Sequence, residues 1–193
     1  MDVLEAIKNR RSIRKYKADP VDDKTVETLL EAARLAPSWA NTQCWRFIVV
    51  RDDNTKSQIA GTIAANPSLG SNPSLNAIKT APVLIVACAE NNISGSFQGK
   101  PVTDKGDWCL FDVALAMENL VLAATALGLG TVHVGLFEAK KVAQILGVPD
   151  NYCVIEMTPI GYPEFQPNAR PRKALSEIVF HEKFGQKRLI TEN

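Results

Sequence analysis

The sequence predicts one α+β domain built on a mixed sheet. Two observations carry that expectation. The chain has 193 residues, 46% hydrophobic and 22% charged, a composition typical of soluble globular proteins and a length that fits one domain of ~100–200 residues. Short β-branched runs are interspersed with stretches of helical periodicity, and neither a composition break nor an internal repeat divides them.

The elements follow in order. Asp2 can cap a short helix whose Val3, Leu4 and Ile7 form one apolar stripe, ending near Arg11-Ser12. The Asp22/Asp23 pair offers a second cap, and Val26, Leu29, Leu30, Ala33 and Ala36 recur at helical spacing until Pro37 opens a loop. Trp45–Val50 and Ala81–Cys88 read as strands, the second buried on both sides, with a weak helix between them at about Thr55–Ala65. Ser94–Lys105 reads as a flexible loop, and Asp107–Leu127 as a long helix, apolar on nearly every face, that Gly128 ends. Thr131–Gly135 is a short strand, Glu138–Leu146 a helix closed by Gly147, Tyr152–Ile160 a further strand, and Lys187–Ile190 a last possible one.

Charge excludes whole classes. Twenty-two Lys and Arg against 21 Asp and Glu leave a net charge of +1, without the excess needed to coat nucleic acid, so any anion site must be local. The acidic start Met1–Glu5 does not match an export signal, and Glu118 and Asn119 interrupt the most apolar stretch, arguing against a membrane span. A cytoplasmic location is the expectation. Cys44, Cys88, Cys109 and Cys153 lie far apart, with no C-x-x-C pair and only two histidines, so no metal site is expected and the thiols are read as reduced and buried.

Four segments carry chemistry. Lys8–Lys17 packs six cations into ten residues. Read by charge alone it is a solvated basic stretch, but Arg10, Ser12 and Arg14 alternate, so an extended backbone would point them one way, towards a phosphate or a polyol. Pro37–Gln43 is a polar loop whose hydroxyl and amides could read the edge of a planar heterocycle, or form an ordinary turn. Gly128-Leu129-Gly130-Thr131-Val132-His133-Val134-Gly135 fails the dinucleotide fingerprint. Position 133 is His, and the run leads from helix to strand, the reverse of the required order. Its glycines either admit something flat or end the long helix, and His133 reads as structural. In Arg170-Pro171-Arg172, proline stiffens two guanidinium groups into a pair suited to phosphate.

Together, in this order and over essentially the whole chain, these segments resemble the FMN-dependent nitroreductase family. The resemblance implies a mainly antiparallel sheet flanked by helices, in an intertwined homodimer with FMN at the subunit interface and the C-terminal tails exchanged. It assigns Arg10, Arg11, Ser12 and Arg14 to the flavin's phosphate, ribityl chain and pyrimidine edge, and Arg170 and Arg172 to the phosphate. Pro37, Ser38, Trp39, Asn41 and Gln43 reach the flavin from the other subunit, and Val132, His133 and Gly135 lie near its ring. Cys44 stands where many relatives have proline, and Trp39 is bulkier than usual. The implied activity is alternating reduction of FMN by NAD(P)H and of a nitroaromatic, quinone or similar small acceptor by the flavin, with no acid–base residue. The alternatives are a flavin-fragmenting or dehalogenating relative, or a non-catalytic FMN-binding redox sensor. No nucleic acid or membrane partner is implied.

Overall fold

The computed structural model describes residues 1–63 and 72–187. At its centre is β2 (Val83–Glu90), paired antiparallel on one side with β1 (Trp45–Val50) and on the other with β6 (Tyr152–Gly161). The short β5 (Gly130–Thr131) adds to β6, again antiparallel. The sheet order is thus β1-β2-β6-β5. Among the described residues, the expected mixed character is reduced to one parallel bridge, Ser12 to Thr131, because the segment that runs alongside β5 in the same sense is irregular.

Helices cover both faces. Val83, Ile85, Ala87 and Ala89 point to one side and pack with Leu29, Met117 and Leu120 of α2 (Asp23–Arg34) and α5 (Cys109–Ala126). Leu84, Val86 and Cys88 point to the other and meet Ile59, Ile78 and Val142 of α3 (Asp53–Ala60), α4 (Pro73–Thr80) and α6 (Ala139–Leu146). A strand buried on both faces reads as a continuous apolar run, which is why β2 was legible.

Caps fix the helix starts: Asp2 and Glu5 form a reciprocal capping box on α1 (Val3–Asn9), and the Asp22 and Asp52 carboxylates accept from the Thr25 and Thr55 amides. The weak helix ends at Ala60, short of the expected Ala65, which itself lies outside the described residues, as do positions 188–190 of the last expected strand. The sequence reading had no α4, whose Asn72 cap and Pro73 first residue resemble turn chemistry. The expected loop 94–105 contains a two-stranded turn, β3 (Ser96–Phe97) with β4 (Lys100–Pro101). The expected strand Thr131–Gly135 pairs regularly only at its start, followed by a bridge from Val134 to Met157. Among the described residues of the tail, the one helix is the short α7 (Leu175–Ile178).

Two apolar helix faces are uncovered. In α1 only Ala6 is buried, while Leu4 of the predicted stripe is 73% exposed. On α5, Asp112, Val113, Ala116, Met117, Leu120, Val121 and Ala124 are fully buried, whereas Leu110 is 62% and Phe111 54% exposed. Ala114, one turn on from them, is exposed too, as is Ala126 at the far end of the helix. Though long and apolar enough to cross a membrane, α5 is a core helix with one unpartnered apolar face.

Candidate functional site

The segment after α1 is held in place by β5. The Ile13 N–H donates to the Thr131 carbonyl at 2.8 Å, and the Ile13 side chain is buried beneath it. Gly130 permits this approach: a Cβ there would lie 2.6 Å from Cγ1 of Ile13. The glycine run therefore admits a neighbouring side chain of the same chain, and Gly128, at φ +78°, provides the helix stop. The Tyr16 hydroxyl donates to the Ile13 carbonyl at 2.8 Å, and burial pushes its pKa up.

The start of the tail returns to the same segment. Lys17 and Tyr162, then Glu164 and Lys15, are joined through their backbones, and the Gln166 amide donates to the Asn9 carbonyl at 3.0 Å. This pairing carries Arg170 and Arg172 across from Arg10, Arg11, Ser12 and Arg14, around a cavity of about 720 Å3. Lys8 and Lys15 bring its cationic lining residues to seven, and none of its described lining residues is acidic. In a chain of net charge +1, that concentration suits a multiply charged anion. Ser12, Asn76 and Asn168 add hydroxyl and amide groups, and Ile7, Pro73 and Phe165 apolar wall. The volume falls within the ~300–1,000 Å3 usual for small-molecule and cofactor pockets. Charge, polar groups and size thus all fit a phosphorylated flavin.

The Pro37–Gln43 loop does not line this cavity. Ala40, Asn41 and Gln43 adopt left-handed backbone conformations at φ 45°, 56° and 48°, a costly choice for residues with a Cβ. The loop is internally bonded: the Ser38 hydroxyl accepts the Gln43 N–H at 3.0 Å, and Asn41 Oδ1 accepts from the Gln43 side chain at 3.3 Å. Asn41 and Gln43 are exposed, Ser38 and Trp39 half-buried. Below them lies a residue the sequence reading passed over, Asp112, fully buried in the first turn of α5. Its Oδ1 accepts the Trp39 N–H at 2.9 Å. Oδ2 accepts from the hydroxyls of Ser94 at 2.6 Å and Thr42 at 3.4 Å, and from Cys44 Sγ at 3.6 Å. Burial, reinforced by the Asp112 charge, pushes the Cys44 thiol up to about 12. Asp112 and Glu118 are the two acids of this largely apolar helix, and Asp112 is the one that is buried.

Val132 is 3% exposed, so its side chain belongs to the core, while Gly135 is exposed. His133 is engaged by two carboxylates: Nδ1 lies 2.9 Å from Glu156 and Nε2 3.4 Å from Glu118. The Glu118 and Glu156 carboxylates push its pKa up to about 9. Both ring nitrogens are thus engaged by side chains of the same chain.

Residues 7–162 match the model of the Nitroreductase family. The chain belongs to that family. It is 33% identical over 174 residues to a Methanothermobacter thermautotrophicus protein provisionally named NADH dehydrogenase/NAD(P)H nitroreductase, covering 88% of this chain and 82% of that one. It is also similar to a nitroreductase family protein of Clostridium novyi NT, with TM-score 0.75, 34% identity and 96% of each chain covered. An iodotyrosine deiodinase with FMN and 3-iodo-L-tyrosine bound shares the fold at TM-score 0.79 and 23% identity, over 95% of this chain and all of the other. This chain is therefore an oxidoreductase of the Nitroreductase family, with the α+β architecture of that family: an antiparallel sheet between helices.

Proposed function

We propose that the chain is a homodimeric, cytoplasmic FMN enzyme that uses NAD(P)H to reduce nitroaromatics, quinones or similar small acceptors. The observation that carries this reading is the basic cavity, where two segments nearly 160 residues apart in sequence bring Arg10, Arg14, Arg170 and Arg172 together. FMN supplies the hydride chemistry when bound, and the protein binds it, orients it and leaves one face open. In this reading the arginines hold the phosphate by charge-assisted hydrogen bonds, Ser12 meets the ribityl hydroxyls, and the backbone of 132–135 lies beside the ring. The exposed amides of Asn41 and Gln43 serve the pocket of a second copy, and the uncovered apolar faces of α1 and α5 form the contact. The N-terminal half of α5 would place the 37–43 loop at that contact.

The test is the absorption spectrum of the purified protein. Flavin bands that bleach anaerobically with NAD(P)H and return with a quinone support the reading. A colourless protein that takes up no FMN overturns it, and bound flavin that NAD(P)H does not reduce indicates a sensor.

A further inference from the structure

We propose that Asp112 is a positioning residue: it holds the 37–43 loop in its left-handed conformation, and through that loop it completes the flavin pocket of the partner subunit. The inference rests on the flavin reading above.

The argument begins with where this carboxylate spends its bonds. Asp112 is 0% exposed, and a buried carboxylate is costly unless its oxygens are satisfied. Its described hydrogen-bond partners are all neutral donors: the Trp39 backbone N–H, the Ser94 and Thr42 hydroxyls and the Cys44 thiol. Three of the four belong to Trp39–Cys44, so most of the carboxylate's bonds act on that stretch. Its place in the first turn of α5 also favours negative charge there.

The loop needs such an anchor. Three of its residues hold positive φ without being glycine, and the side chains of Asn41 and Gln43 are exposed, so core packing does not fix them. Ser94, also fully buried, bonds the same Oδ2 at 2.6 Å and thereby orients the carboxylate. The chain of contacts runs from Ser94 through Asp112 to Trp39 N–H, and it sets the angle at which the Asn41 and Gln43 amides leave the surface. Since the loop does not line its own chain's basic cavity, the pocket it serves belongs to the other copy.

The test uses mixed dimers of full-length chains, one carrying Asp112→Asn and the other Arg10→Ala/Arg14→Ala, separated by different tags and titrated with FMN. Asn keeps the shape and removes the charge. Each homodimer should bind FMN roughly tenfold or more weakly than the parent. The mixed dimer should regain one site of parent affinity, since one pocket then receives both intact arginines and an intact loop. Amide hydrogen exchange on the Asp112→Asn homodimer should quicken at 39–44 and stay unchanged in α2 and β1. A mixed dimer with no parent-like site places the effect of Asp112 in its own chain and overturns the proposal, as does faster exchange throughout the core. Should Asp112→Asn not fold, Ser94→Ala in the same mixing should give the same pattern with a smaller loss. A Ser94→Ala chain that binds FMN like the parent also overturns the proposal. A parent that takes up no flavin overturns the flavin reading itself, a result distinct from a parent that binds two and a mixed dimer that regains none.

Discussion

The segments 10–14 and 37–43 are both candidates for touching one flavin, yet the chain builds them in opposite ways. Arg10–Arg14 runs without left-handed residues, hangs on β5 by a backbone bond and opens onto a cavity of its own chain. Pro37–Gln43 is strained, tied from below by a buried carboxylate, and opens onto no cavity lined by the arginines. One half-site is complete where it stands and the other presents itself outward. That difference is what a pocket shared between two copies requires, and it can be broken at the contact, at the charge or at the amides.

The largest effect is expected at the contact. Ala114 lies on the uncovered face of α5 beside Phe111, so Ala114→Arg leaves the chain's own core untouched. It should give a folded monomer by sedimentation and far-UV circular dichroism, with flavin binding abolished. A variant that stays dimeric and flavin-loaded would place the interface elsewhere and dissolve the division between the half-sites.

The two half-sites should then differ in what they read. Arg10→Ala or Arg172→Ala removes a charge-assisted bond of ~1.5–3 kcal/mol, about ten- to a hundredfold in FMN affinity, and should leave riboflavin binding nearly unchanged. Asn41→Ala removes a neutral bond of ~0.5–1.5 kcal/mol, a few-fold to about tenfold, and should weaken riboflavin and FMN alike. Isothermal titration with both flavins separates the patterns. If the parent binds riboflavin as well as FMN, the arginine cavity is not a phosphate site.

How much of this was legible follows the range of each signal. Strand β1 was read with its full bounds, and α2 was read with its cap, because period and capping are local. The arginines were legible as a cluster and as a rigid pair, but their meeting depends on the tail pairing with Lys15–Lys17, which no local pattern encodes. Asp112 stayed hidden because an acid on a helix ordinarily marks the solvent side, and its partners at 39, 42, 44 and 94 are distant in sequence. The stripe Val3, Leu4, Ile7 was read as apolar, but an apolar stripe alone does not tell an inner face from a contact with another chain. The glycines of 128–135 read as admitting something flat or as ending the helix, and that Gly130 faces the Ile13 side chain needed the fold.

The smallest effect separates both half-sites from the neighbouring His133, and it is read in pH rather than in flavin. The Glu118 and Glu156 carboxylates raise the pKa of His133 from an ordinary 6.5 to about 9. A group whose pKa is raised on folding binds its proton more tightly in the folded state. Its stabilisation is therefore complete below about pH 6.5, declines as pH rises, and is gone above about pH 9. The ring is 36% exposed, so solvent screens the pair and the effect should be modest. His133→Gln removes the titration and keeps a hydrogen-bonding side chain, and subtracting its urea midpoint from the parent's cancels the thiols and phenols that titrate at higher pH. The difference should be greatest near pH 6 and fall steadily to a floor near pH 9, while FMN affinity at pH 7 stays within about twofold of the parent's. A difference that stays flat from pH 6 to 10 would mean that the two carboxylates do not hold the proton. A large loss of flavin in His133→Gln would make this residue part of the site and extend the first half-site into the strand after α5.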